Sequence, residues 1–387
     1  MSNNNLIREA AEGIQAFLPD FKKSMVGSMG IELELMILDR LSYDLFPAAP
    51  DLLKSLEKQE KKWTCTPEIT TSMLEIATSI LNNYQETFEQ LEQVRIAVNN
   101  AASQSGAFIS GGGAHPFQKW SEQRIFPKQR YLNNSSKFGY LSKLFTVFGM
   151  HVHIGVDKGD EAIRLCHNLT QLAPIFLALS AASPYWQGED SFFASSRSNV
   201  VGAFPMSGTI PDEIKNWQGF KNYFDELAKL EIVKSIKDFY WDVRPKPEYG
   251  TVEVRILDTP LHTEIAGAMA AYIREKSLEL IAEKDYFLPS NSIIYKWNRF
   301  NAAKMGIEAE YINPVNRQKF IIKDYLKEDL RRLKKKNRDI NFFKACLIIE
   351  KVLAEGGQAE ILRKVCKEGK SLNDMSRKAS ELFLHKF

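Results

Sequence analysis

Three stretches far apart in the chain repeat one pattern, in which apolar residues alternate with carboxylates, imidazoles or a guanidinium: Ile31-Glu32-Leu33-Glu34-Leu35, Met150-His151-Val152-His153-Ile154 and Thr251-Val252-Glu253-Val254-Arg255. A period of two is that of a β-strand, whose side chains point alternately to its two sides. Glu32 with Glu34, His151 with His153, and Glu253 with Arg255 therefore share one side each, and Leu33, Val152 and Val254 face a core. Acidic residues are depleted in strands, and solvent faces more often take Thr or Lys. The pattern therefore predicts a sheet with one dry face and one face that holds polyvalent cations for phosphate chemistry.

The rest of the chain supports a large globular enzyme. Its 387 residues are 44% hydrophobic and 26% charged, which fits one catalytic unit with an appended part. No run reaches the roughly 18 apolar residues needed to span a bilayer, and Leu169–Ala182 is interrupted by Gln171 and Pro174. The start, Met1-Ser2-Asn3-Asn4-Asn5, lacks the basic and apolar regions of a secretion signal. Cys65, Cys166, Cys346 and Cys366 show no paired ligand spacing, so a cytoplasmic location without membrane association is expected and no role is given to the thiols. The net charge of +3 is too small to argue for nucleic acid. Basic residues do cluster at Arg331, Arg332, Lys334, Lys335, Lys336 and Arg338, but without interleaved stacking aromatics, as in a solvated helix face.

Periodicity gives short helices near 5–18 and 50–62 around a first strand, Ile31–Leu38. A second strand, Met73–Thr78, precedes a helix, Tyr84–Ser103. The strand Val147–Val156 leads into a helix capped by Asp160 and ended by Pro184. Tyr185–Gly208 reads as a long loop overhanging the site. A helix over Asp212–Val233, a strand pair Phe239–Arg244 and Gly250–Leu257 joined through Pro245-Lys246-Pro247, and a helix over Thr263–Ala282 follow. Helices segregated from strands predict an α+β fold, with an antiparallel sheet, helices on one face and a helical C-terminal region. The expected division is 1–285 for the catalytic domain and 286–387 for the C-terminal region packed on it.

Each polar motif also has an ordinary reading: an exposed edge for Glu32 and Glu34, core histidines hydrogen-bonded to backbone, and a cross-strand ion pair for Glu253 and Arg255. Glu68 and Glu75 weigh against it. Glu75 lies in Ser72-Met73-Leu74-Glu75-Ile76-Ala77, among apolar residues and small hydroxyls rather than lysines. Carboxylates buried without cations repel and take up protons, so a divalent metal is their natural partner, and oxygen ligands favour Mg²⁺ or Mn²⁺. A neutral imidazole can ligate a metal while its neighbour touches a phosphate. Glu253 on a metal beside Arg255 on a phosphoryl group would stabilise developing charge.

The segments Gly30-Ile31-Glu32-Leu33-Glu34, Gly149-Met150-His151-Val152-His153-Ile154-Gly155 and Gly250-Thr251-Val252-Glu253-Val254-Arg255-Ile256-Leu257-Asp258 resemble the bacterial carboxylate–amine ligases of the second glutamate–cysteine ligase family. They resemble glutamine synthetase more distantly. Gly113-Ala114-His115-Pro116-Phe117 and Ser180–Gly188 match further landmarks of the family in order. The resemblance implies a glutamine synthetase-like catalytic fold, ATP and two or more Mg²⁺ or Mn²⁺ ions. By that resemblance Glu32, His151 and Glu253 hold one ion and Glu34, Glu68 and Glu75 another. Arg255 meets the γ-phosphoryl group and His153 the nucleotide. The implied reaction phosphorylates the γ-carboxylate of glutamate, and cysteine attacks the γ-glutamyl phosphate to give γ-glutamylcysteine, a step of glutathione biosynthesis. Arg197, in Ser195-Ser196-Arg197-Ser198, and His115, Arg130 and Arg244 are the candidates for substrate binding. Where the family has a D-T-G run, this chain has Glu189-Asp190-Ser191-Phe192-Phe193, so another amino acid or amine stays open, as does a homo-oligomer. The competing readings are a phosphotransferase acting on a guanidino group and a nucleic-acid binder using the basic cluster on a relic domain.

Overall fold

A computed structural model describes residues 16–283, 287–288 and 292–387. Among these residues a seven-stranded sheet is built from β1 (Met29–Asp39), β2 (Thr64–Pro67), β3 (Met73–Ala77), β4 (Ala107–Ser110), β5 (Gly149–Gly155), β6 (Val243–Lys246) and β7 (Thr251–Asp258). The order is β6-β7-β5-β1-β3-β2, β4 pairs with the far half of β1, and every pairing is antiparallel. Register then decides which side chains meet. Glu32 lies opposite His151 on one side and Ala77 on the other, Glu34 opposite Glu75, and Glu253 opposite His153 and Arg244.

The dry face forms as the alternation requires. Ile31, Leu33, Leu35, Ile37, Met150, Val152, Ile154, Val252 and Val254 are buried against α1 (Tyr84–Gln104), α2 (Gly159–Ser180) and α3 (Thr263–Ala282). Full burial of such a side chain contributes about 2 kcal/mol. These helices cover one face and leave the acidic half of the other open. α2 has the length and apolar composition of a membrane span, but 94% of that window is buried inside the fold, as in a core helix.

Several boundaries differ from the sequence reading. The helix near 5–18 falls almost wholly outside the described residues. The next helix stops at Glu57 because Thr64–Pro67 is needed as an edge strand beside β3. Asp160 does not cap α2; the N-cap is Lys158, and the Asp160 carboxylate accepts from the Trp217 backbone N–H at 2.8 Å. Pro245 and Lys246 sit inside β6, and the turn is made by Pro247–Tyr249 with Gly250 at φ +67°. The loop 185–208 contains the strand pair Tyr185–Trp186 and Glu189–Asp190 and a short helix, Arg197–Gly202.

Beyond residue 291 the chain forms α4 (Ser292–Met305), a small hairpin (Glu310–Ile312 with Lys319–Ile321), α5 (Ile322–Lys336), α6 (Ile340–Ala354), α7 (Gln358–Lys367) and α8 (Leu372–Leu384). The core continues into it without a break, since Ala302, Leu326, Phe342, Ile349 and Phe383 belong to the same buried cluster as the sheet. The expected boundary at 285/286 falls on residues outside the description. Half of the basic cluster is paired: Arg332 with Glu279 and Asp329, Lys334 with Glu350 and Lys336 with Glu279.

Candidate active site

β1, β3, β5 and β7 carry their polar residues onto the open face, where Glu32, Glu34, Glu75, His151, Glu253 and Arg255, joined by Glu68 from just after β2, line one cavity of about 290 Å³. The Glu32 carboxylate lies at its centre, 2.8 Å from Nδ1 of His151 and 3.2 Å from Nε2 of His153. Burial opposes ionisation of Glu32, but His153 and His151 outweigh it and hold its carboxyl well below the usual range. Glu253, 1% exposed, is opposed by burial in the same way. Arg244 at 2.7 Å from its Oε2, and Arg255 on its other oxygen, keep it ionised. A register shift in the β5–β7 pairing between Val254 and Leu257 falls at Arg255, and such irregularities re-aim side chains at the rims of sheets.

Two groups offer ligand atoms that all lie within 4.8 Å of one another: Glu32 with His153 and Glu253, and Glu34 with Glu68 and Glu75. No lysine or arginine ion-pairs with the second group among the described residues, and Arg130 and Arg255 offset the repulsion at Glu68 only in part. Burial and the neighbouring Glu34 push the Glu68 carboxyl up to about 7, and burial, Glu68 and Glu32 push Glu75 well above the usual range. These are carboxylates short of a positive partner, which an oxygen-preferring divalent ion would supply. His151 gives a further sign. Its Nδ1 faces Glu32, yet its buried Nε2 has no hydrogen-bond partner among the described residues, and the nearest oxygen of Glu34 is 3.7 Å away. Burial and then Arg255 lower the pKa of His151, so a lone pair is available for a metal there. The donor set therefore fits Mg²⁺ or Mn²⁺.

The expected group of Glu32, His151 and Glu253 is brought together, with Nδ1 of His151 2.8 Å from Glu32 and 3.6 Å from Glu253. His153 borders the same carboxylates at 3.2 and 3.9 Å, and Nε2 of His151 also faces Glu34 at 3.7 Å. Thr251 fixes the His153 ring by a contact of 3.0 Å at Nδ1, leaving Nε2 for Glu32.

The substrate candidates separate. Arg197 is buried against the backbone oxygens of Ile256 and Arg255, and its Nε has no partner among the described residues. With Glu34, His151 and Arg255 it lines a small void behind the cation sites. Gly149 must lack a side chain to allow this, because a Cβ there would lie 2.0 Å from the Arg197 guanidinium. Arg130 is exposed at the mouth of the main cavity. Arg244 is instead engaged with Glu253 and the carbonyls of Ile236 and Phe239. His115 is not brought to the site. Fully buried, it meets the Tyr43 carbonyl at 2.9 Å and accepts from the Gln118 N–H at 3.1 Å, and burial lowers its pKa to about 4.

The sequence reading missed Lys128, Lys237, Lys246, Tyr240 and Tyr249, which bring basic and aromatic groups to the cavity from outside the alternating strands. Lys246 carried a signal in hindsight, a lysine between two prolines within a strand. A second cavity of about 480 Å³ adjoins the first at Glu32 and Tyr249 and is lined by His153, Ser24, Ser28, Gly30 and Thr78. The segment leading to Arg197 is tied to β7 at two points: Asp258 accepts from Ser183 Oγ at 2.7 Å and from Ser195 Oγ at 2.8 Å.

Such a sheet, with helices on one face and converging carboxylates on the other, has the glutamine synthetase-like fold. Solved structures share the architecture. A glutamate–cysteine ligase from Francisella tularensis in complex with AMP superposes with a TM-score of 0.65 at 14% identity, covering 95% of this chain and 91% of that one. A bifunctional glutathione synthetase from Pasteurella multocida gives 0.63 at 16% identity, covering 92% of this chain and 51% of that one. The chain belongs to glutamate–cysteine ligase family 2, whose model matches residues 28–380. Proteins provisionally named glutamate–cysteine ligase 2 from Janthinobacterium sp. (strain Marseille) and Laribacter hongkongensis (strain HLHK9) are 41% and 42% identical over 367 residues. These matches cover 94% of this chain and 99% and 98% of the respective relatives.

Proposed function

We propose that this chain is an ATP-dependent carboxylate–amine ligase that joins glutamate through its γ-carboxylate to the amine of cysteine. The observation that carries the reading is the meeting of Glu32, His151, His153, Glu253 and Arg255 from three strands at one point, beside the carboxylates Glu34, Glu68 and Glu75. Bound Mg²⁺ or Mn²⁺ at these groups would screen the triphosphate and act as a Lewis acid on the phosphoryl oxygens. Glu32, Glu253 and an imidazole would hold one ion, and Glu34, Glu68 and Glu75 the other.

The remaining work falls to the protein's own groups. The second cavity, beside His153, is sized for a nucleoside, and Tyr249 at its edge offers an aromatic face. Arg255, anchored by Glu253, presents its guanidinium where negative charge builds as a substrate carboxylate oxygen attacks the γ-phosphorus and ADP departs. Arg197, with its unpartnered Nε, and Arg130 at the mouth are the groups for an amino-acid carboxylate. The amine then attacks the acyl carbon and phosphate leaves. The segment held by Asp258 limits water near the acyl phosphate.

A panel of amino acids, each assayed for ADP release with and without cysteine and other amines, tests this. ADP release that needs both glutamate and cysteine is the expected result. Release with a guanidino acceptor and no amine would replace the reading with a phosphotransferase, and a different obligatory pair would correct the substrates alone.

A further inference from the structure

Away from the sheet, α6, α7 and α8 and the start of α3 enclose a cleft of about 770 Å³, larger than either cavity at the ligase site. Six basic side chains and four carboxylates line it. The carboxylates are largely matched within the cleft: Arg377 takes Asp374 and Glu381, and Lys370 takes Glu368. Lys386 is held by Glu92. Lys351, Lys364 and the half-buried Lys378 meet no carboxylate among the described residues, the Glu355 carboxylate meets no cation, and Lys351 rests on the Phe387 ring, 3.8 Å from its centre. Three unpaired ammonium groups against the one unpaired carboxylate of Glu355 thus leave the cleft positive.

His262 is the built element of this place. It is the N-cap residue of α3 and 7% exposed. Its Nδ1 lies 3.2 Å from the His385 carbonyl, which must accept, so the proton sits on Nδ1 and Nε2 carries the lone pair. Nε2 has no partner among the described residues. Burial, and then the positive charges of Lys351, Lys378 and Arg95 against the pull of the His385 carbonyl, lower its pKa to about 4. The same cations that discourage a proton on His262 attract an anion, and the unpaired N–H groups at a helix start favour one as well.

We propose that this cleft binds a small anion carrying a phosphate group, free or esterified, with Lys351 and Lys378 as its cationic partners and His262 at its edge. Three unpaired ammonium groups set against the Glu355 carboxylate suit a group that bears about −1.5 to −2 charge at neutral pH. The volume suits an organic body beyond the phosphate. The cleft is also connected to the chemistry, because His262 follows Asp258 by four residues on the chain leaving β7.

The test is calorimetric titration of the full chain in chelator with orthophosphate, glucose 6-phosphate and succinate at constant ionic strength. Saturable binding of a phosphate-bearing probe is expected. It should weaken at least about tenfold in Lys351→Gln/Lys378→Gln, survive in Lys378→Arg and survive in Arg255→Gln, which disables the phosphate site of the sheet. Tighter glucose 6-phosphate would mark an esterified ligand, and tighter orthophosphate a free one. No saturable binding, binding lost in Arg255→Gln but kept in the double variant, or succinate binding more tightly than either phosphate would overturn the proposal.

Discussion

Arg244→Met isolates the electrostatic balance that the site depends on. Glu253 is 1% exposed and ionised, and Arg244 reaches it at 2.7 Å and 3.4 Å while also donating to the carbonyls of Ile236 and Phe239 at 3.2 Å and 2.8 Å. Methionine fills much of the same volume without charge. Removing one partner of a buried pair costs about 3–5 kcal/mol, because the other charge stays desolvated. Arg255 remains on Glu253, which argues for the lower end; the two carbonyls that lose a donor argue for the upper. A loss of about 4 kcal/mol should therefore appear in urea unfolding, as a midpoint lower by more than about 1 M. Glu253→Gln in the Arg244→Met background should cost less than it does alone, since the carboxylate then no longer lies buried beside a lost partner. An Arg244→Met protein within about 1 kcal/mol of the parent would refute the claim that Arg244 is what keeps Glu253 charged inside the sheet.

Three further outcomes follow from the same geometry. Glu253→Gln should lower divalent-dependent ADP release about 1000-fold in steady-state assays, and unchanged turnover would remove Glu253 from the phosphoryl site. Gly149→Ala drives a methyl group to 2.0 Å from the Arg197 guanidinium, so the KM for the amino-acid substrate should rise at least about tenfold while the KM for ATP moves little. On α3, burial opposes but Arg332 and Lys336 prevail, lowering the Glu279 carboxyl to about 2 from 4.5. Its stabilisation is present above pH 4.5 and fades as the pH falls toward 2. Acid titration of Glu279→Gln should therefore show a shallower loss of stability across that window, by about 1 kcal/mol for a half-exposed network.

The sequence by itself determined the faces. Alternation in Ile31–Leu35, Met150–Ile154 and Thr251–Arg255 is local, and the pleat of a strand turns it directly into one dry and one polar side. That is why the antiparallel sheet and the shared faces of Glu32 with Glu34, His151 with His153 and Glu253 with Arg255 were legible in the residues, while the grouping of Glu68 and Glu75 with them came from the resemblance to the family. Pairing register and the approach of distant segments belong to the tertiary structure. Only the β1–β5–β7 register shows that both His151 and His153 border Glu32 and Glu253, and that Nε2 of His151 is left without a partner facing Glu34. Only packing shows that Arg244 is bound to Glu253 and that His115 is held by backbone away from the site. Lys128, Lys237 and Tyr249, and the cleft around Lys351 and Lys378, arise where segments tens to hundreds of residues apart meet. A periodicity reports only what lies within a few residues of itself, so no local pattern could announce them.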